Sequence, residues 1–111
     1  MLSASQRLRK SSEISAVLRA GSRHSSKLVV LHVATTANPD TRVAFAVNKK
    51  VGNSVVRHRL TRQLRHSMSL HVNRFPTGSQ IVVRALPGAG SAKFSELCEN
   101  VDFAVSKAVS P

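Results

Sequence analysis

The chain has 111 residues, with 17 Lys plus Arg against 5 Asp plus Glu and a formal charge of +12. That is the length of one domain, and its charge calls for an anionic partner, nucleic acid ahead of an anionic membrane surface. With 41% hydrophobic residues the chain can bury a modest core, which argues against a disordered basic tail.

The longest aliphatic run, Leu28-Val29-Val30-Leu31, is far shorter than the roughly 20 apolar residues that span a bilayer. A lone Cys98 excludes a disulfide framework and a zinc finger and fits a reducing cytoplasm. From Asp40 to Glu96 no acid interrupts a segment carrying Arg42, Lys49, Lys50, Arg57, Arg59, Arg62, Arg65, Arg74, Arg84 and Lys93. Paired carboxylates for acid–base chemistry would have to come from opposite ends of the chain, so no catalytic residue is expected.

A single domain over residues 1–111 is expected, with residues 1–10 as a flexible lead-in. The first twenty residues are Arg- and Ser-rich, which is also the composition of a mitochondrial transit peptide. Helical signals favour a packed helix instead. Ser11 serves as N-cap, Glu13 stands in the first turn, Ile14, Val17 and Leu18 follow i, i+3, i+4 spacing, and Gly21 stands where a helix end favours a left-handed residue. The predicted helix runs from Ser11 to Ala20.

Leu28–Ala34 reads as a buried strand, Asn38-Pro39-Asp40 as a turn, and Arg42–Val47 as a second strand, the two forming an antiparallel pair. Gly52 then suits a tight bend, and Asn53 or Ser54 suits the cap of the next helix. On that helix Val56, Leu60, Leu64 and Met68 share an arc of about 120°, while Arg65, His58, Arg62, His66 and Arg59 occupy the arc from about 180° to about 300°. One face packs and the other is basic. Arg57 falls inside the apolar arc, where it would bridge a strand edge or cap a loop.

After Phe75-Pro76-Thr77-Gly78 comes a third strand, Gln80–Ala85, then Pro87-Gly88-Ala89-Gly90-Ser91 as a flexible connector. The last helix carries Leu97, Cys98, Val101, Ala104, Val105 and Ala108 on one side, with Glu96 and Glu99 near its start. The four Phe and Cys98 are expected in the core, and the His residues lack metal-ligand spacing. The order α-β-β-α-β-α, with a basic crossover helix, predicts a small α+β sandwich of a mixed sheet with helices.

The segment Phe45 to Arg65 contains Asn48-Lys49-Lys50, then Gly52-Asn53-Ser54-Val55, then Arg57-His58-Arg59 with Arg62 and Arg65 one turn on. This run resembles the signature of the bacterial ribonuclease P protein component. The resemblance extends upstream through Arg7-Leu8-Arg9-Lys10 and downstream to Ile81-Val82-Val83-Arg84-Ala85. It implies the fold of the second domain of ribosomal protein S5. It also implies an accessory subunit of a ribonucleoprotein whose RNA removes the 5′ leader of precursor tRNA.

The implied partners are that catalytic RNA and the precursor tRNA, with no membrane and no obligate protein partner. Magnesium enters through the ribonucleoprotein rather than a protein-only site. Lys49, Lys50, Asn53, Arg57, His58, Arg59, Arg62 and Arg65 are the implied RNA-binding set, and guanidinium forks suit phosphate oxygens. The resemblance further implies a leader-binding cleft between the first helix and the sheet, here Ile14, Leu18, His32 and Arg84. His58 replaces the signature's middle Asn and Thr61 replaces its Lys. Ile14 and Leu18 stand where the family uses aromatic rings, leaving His32 as the stacking ring, or as a strand residue facing the core.

A ribosomal or other structured-RNA-binding protein without processing activity is the alternative. A helix-turn-helix DNA binder fits less well, because the basic helix follows a strand. A membrane-surface helix also fits less well, because the apolar stripe is narrow and lacks Trp and Tyr.

Overall fold

A computed structural model describes residues 7, 8, 10–36 and 40–109. Arg9 and the Asn38-Pro39 part of the expected turn lie outside the described residues. Helix α1 spans Ser11–Ala20, and strands β1, β2 and β3 span Ser22–Ser25, Val29–Thr35 and Arg42–Ala46. Helix α2 spans Ser54–Ser69, β4 spans Ser79–Ala85 and α3 spans Phe94–Val109. Single 3-10 turns at Val72–Arg74 and Pro87–Ser91 flank β4.

The sheet order is β1-β2-β4-β3, which corrects the expected pairing of β2 with β3. Strand β4 lies between them, antiparallel to β2 with Leu31 opposite Val83, and parallel to β3 with Val43 opposite Ile81. The cause is the connection. A 16-residue helix separates β3 from β4, and a crossover of that size returns the chain parallel to its starting strand. The continuous run Ile81-Val82-Val83, fully buried, is the mark of a strand covered on both faces. Strand β1, Ser-Arg-His-Ser, has no apolar alternation and forms an edge beside β2.

Alternation along the strands sorts the core into two layers. Val29, Leu31, Val43, Ile81 and Val83 face α2 and α3, where they meet Leu60, Leu64, Met68, Leu97, Val101 and Val105. On the opposite face Ala44 and Val82 meet Val17 of α1 and Leu8. Leu8 is buried and its N–H donates to the Val43 carbonyl at 2.8 Å, so the expected flexible lead-in does not include this residue.

Other local expectations are corrected. Lys10 rather than Ser11 is the N-cap residue of α1, without a side-chain cap. Gly21 has φ −73°, not a left-handed value. Glycine is needed there for close approach, since a Cβ would lie 2.6 Å from the Val17 carbonyl oxygen and 2.9 Å from that of Val33. The Pro87–Ser91 segment is not a loose connector, because Ala89 is buried and a Cβ on Gly90 would fall 2.2 Å from the Val51 carbonyl oxygen. Phe75 is buried and Phe45 packs on the core, but Phe94 and Phe103 are exposed and Cys98 is only half-buried.

Candidate nucleic-acid interface

Helix α2 begins where Asn53 Oδ1 accepts the Val56 N–H at 3.0 Å, which settles the cap on Asn53 and occupies the oxygen of one expected RNA contact. Ahead of it, Asn48 organises a turn: its side-chain oxygen accepts from Lys50 N–H at 3.0 Å and its carbonyl from Val51 N–H at 3.1 Å. Lys49 and Lys50 are therefore held at an exposed tip beside the helix N-terminus, an end that attracts anions.

Leu60, Leu64 and Met68 are buried beneath α2, and Val56 is half-buried at its start. The basic residues divide into an outer ridge and two flanks. His58, Arg59 and Arg62 are exposed, and Arg57 and Arg65 are half-buried. A groove of about 390 Å³ is lined by Ser54, Arg57, His58, Thr61, Arg62 and Arg65. Arg57 thus joins the basic face. It is half-buried at the edge of the apolar arc, and among the described residues it makes neither the strand bridge nor the loop cap that its angle suggested. Thr61 Oγ1 donates to the Arg57 carbonyl at 2.8 Å, so where the signature has a Lys this chain has a hydroxyl already engaged by its own helix.

Arg57 Nε and Arg65 Nε are shielded from solvent and have no hydrogen-bond partner among the described residues, as is the case for Arg7 Nε and Arg42 Nε. Arg7 and Arg65 share a smaller depression of about 260 Å³. Shielded donors without acceptors carry a cost in the folded chain. On the other flank Arg59 Nη2 donates to the Gly90 carbonyl at 2.7 Å, fixing that guanidinium against the Pro87–Ser91 turn.

The expected cleft lies across the sheet, on the α1 side. Ile14 packs over the cluster of Ala44 and Val82, and Leu18 remains 38% exposed. His32 is buried at 6% exposure, with Nε2 3.4 Å from Arg84 Nη1. Burial, then Arg84 and then Arg23, hold its pKa below the ordinary value. Position alone gives His32 little free ring face, and the half-buried Arg84 and the exposed Arg23 supply the positive charge beside it.

A family model described as ribonuclease P matches residues 2–109. The chain belongs to this family. It is 39% identical to the ribonuclease P protein component of Streptomyces avermitilis, over 96% of this chain and 94% of the relative. It is 41% identical to that of Acidothermus cellulolyticus, over 92% and 87%. The ribonuclease P protein of Staphylococcus aureus superposes with a TM-score of 0.85 at 19% identity, covering 93% of this chain and 94% of the other, which places the fold in the same class. Within ribonuclease P, such a chain is the RNA-binding protein subunit.

Magnesium does not fit this protein surface. It takes oxygen ligands in a near-octahedral set, whereas the basic face of α2 offers guanidiniums and imidazoles and no carboxylate. Among the described residues no group of three or more His, Cys, Asp or Glu is placed to hold a metal. No helix of the described residues is long and apolar enough to cross a membrane.

Several residues of this surface escaped the sequence reading. Gln63 and Phe94 line a pocket with Arg59, Arg62 and His66. Phe94 lies 31 positions beyond Gln63 in the chain, and no local periodicity connects them. Arg7 reaches the α2 flank because the Leu8 segment runs beside Val43.

Proposed function

We propose that this chain docks α2 onto the catalytic RNA of ribonuclease P, with Arg57, Arg59, Arg62 and Arg65 on phosphates and Lys49 and Lys50 adding charge at the helix start. One observation carries the reading: among the described residues none of these arginines forms an ion pair with an acid. Their charge is available to a polyanion, and three of them line one open groove. His58, exposed beside them, supplies a ring donor where the signature has an amide.

The α1 face, with Ile14, Leu18, His32 and Arg84, receives the leader of precursor tRNA. Apolar contact with Ile14 and Leu18 replaces base stacking worth roughly 1–3 kcal/mol per base, so leader discrimination is weak. The protein's contribution is positional and electrostatic: it holds the substrate leader on one face and the RNA on the other, and lowers phosphate repulsion between them. Bond cleavage and its magnesium belong to the RNA.

Reconstitution tests this. The chain combined with the catalytic RNA of ribonuclease P should accelerate cleavage of precursor tRNA at magnesium concentrations where that RNA alone is slow. An RNA that binds the chain but cleaves no faster would favour the alternative of a structured-RNA-binding protein without a processing role.

A further inference from the structure

The pocket between α2 and the start of α3 adjoins the phosphate groove, sharing Arg62 with it, and lies apart from the α1 side of the sheet. It is an open hollow of about 490 Å³ lined by Arg59, Arg62, Gln63, His66 and Phe94, within the size range of small-ligand sites. Arg59, Gln63 and His66 recur at i, i+4 and i+7 along one flank of α2, and Phe94 closes the far wall as the first residue of α3.

From this geometry we infer that the pocket takes one unpaired RNA base, stacked against Phe94 and His66 and framed by two guanidiniums. The inference rests on the reading of α2 as an RNA-docking helix. Phe94 is 40% exposed although the core has room for Phe75, so its ring is presented to solvent beside cations. The His66 and Phe94 ring centroids are 5.9 Å apart at an interplanar angle of 44°. The two rings open as a tilted wedge and leave a π-face free.

Arg59 is already anchored by its bond to Gly90, so its remaining N–H groups point from a fixed frame, which lowers the ordering cost of a contact. Gln63 adds both a donor and an acceptor. Guanidiniums bond base acceptors such as guanine O6 and N7 or the attached phosphate. No acid lines the pocket, so a polyanion meets no repulsion there. A pocket for phosphate alone would not need the aromatic wall.

The test uses the chain with the catalytic RNA of ribonuclease P, in one arm alone and in the other with precursor tRNA. Dimethyl sulfate footprinting and binding titrations across a salt series are read in both. Phe94→Leu should weaken binding by about 5- to 150-fold, the range of one stacked base, with the salt slope unchanged because no charge is lost. Phe94→Trp should keep the affinity.

At least one unpaired base protected by the wild-type chain should become reactive with Phe94→Leu, and the RNA that carries it identifies the source. Gln63→Ala probes the opposite wall without altering α3 and should release the same base. If both variants leave every footprint as in the wild type, the proposal is overturned. Should that happen while Arg57, Arg62 and Arg65 changed together to Ala still weaken binding, the base pocket fails and the α2 reading stands. If that triple variant also has no effect, the docking reading itself fails.

Discussion

Replacing Arg57, Arg62 and Arg65 together by Ala isolates the electrostatic role of α2. These positions line one groove, and none supports the fold through an ion pair or a side-chain hydrogen bond among the described residues. Arg59 is left intact because its bond to Gly90 holds the neighbouring turn. Each phosphate contact releases about 0.7–0.9 counterions, so the log-log slope of RNA affinity against salt should flatten by about two to three units. Raising salt fourfold from about 50 mM would then cost the wild-type chain about 20- to 40-fold more affinity than the variant.

Filter binding or fluorescence anisotropy over the salt series measures the slope directly. Arg74→Ala is the control. It removes a cation that is engaged with Asp102 at 3.3 Å and Ser106 at 3.3 Å, away from the groove, and its slope should match the wild type. Equal flattening in the control and the triple variant would mean that net charge acts without regard to place, and would refute docking through α2.

Three further outcomes concern the scaffold of that surface. Asn53→Ala removes the cap bond to Val56 and should destabilise the fold by about 1 kcal/mol, while Asn53→Asp restores most of it. Equal denaturant midpoints for Asn53→Ala and wild type would show that the cap contributes nothing. Gly90→Ala drives a Cβ toward the Val51 carbonyl and should cost about 1–3 kcal/mol. Gly88→Ala, whose Cβ meets only Leu28 Cδ2 at 3.5 Å, should melt close to wild type, and a reversed order would refute the packing argument. Finally, His32 and His71 are both held below their ordinary value of 6.5, each chiefly by burial; Arg84 and Arg23 lower His32 further, while at His71 Asp102 opposes the shift and Arg74 adds to it. The unfolded chain therefore takes up protons first as pH falls, so stability is full above about pH 6.5, declines below it, and levels off beneath the folded values. Urea midpoints measured between about pH 5 and about pH 8 should show that decline, and a His32→Gln, His71→Gln variant that keeps all of it would refute the assignment.

What could be read from the sequence was what depends on near neighbours. The α2 face follows from 3.6-residue spacing, and its basic residues occupy the solvent side except where Arg57 and Arg65 lean along one flank. The Ser11–Ala20 helix follows from the same rule, and the RNA-binding signature is contiguous. Strand pairing was not legible, because β4 takes its place between β2 and β3 through contacts across the whole chain. Strand β1 was hidden by its polar composition, since as an edge strand it gains its order from one neighbour's backbone. Gly21 is required by two carbonyls at once, that of Val17 at the helix end and that of Val33, which reaches it through the sheet. The aromatic wall was illegible for the same reason: a Phe that opens an amphipathic helix reads as core until α2 is seen beside it.

The distribution of acids explains why α2 can act as the docking element. Asp40 meets Arg42 at 3.7 Å, and Asp102 meets Arg74 at 3.3 Å with His71 at 3.9 Å. Those pairs neutralise cations on β3 and in the turns after α2. Surface pairs of this kind contribute little to stability, roughly 0–1 kcal/mol each, so their placement is not explained by fold energetics alone. Its consequence is electrostatic. A guanidinium already paired with a carboxylate would have to give up that partner before taking a phosphate, and the exchange would cancel much of the gain. With no acid between Asp40 and Glu96 and Glu96 and Glu99 on α3, the α2 arginines would meet RNA, in the proposed docking, without such an exchange. The same segregation leaves like charges crowded along one helix, a repulsion of the free protein that phosphate binding relieves. In the proposed docking, affinity at this surface would therefore draw on relief of self-repulsion as well as on new contacts.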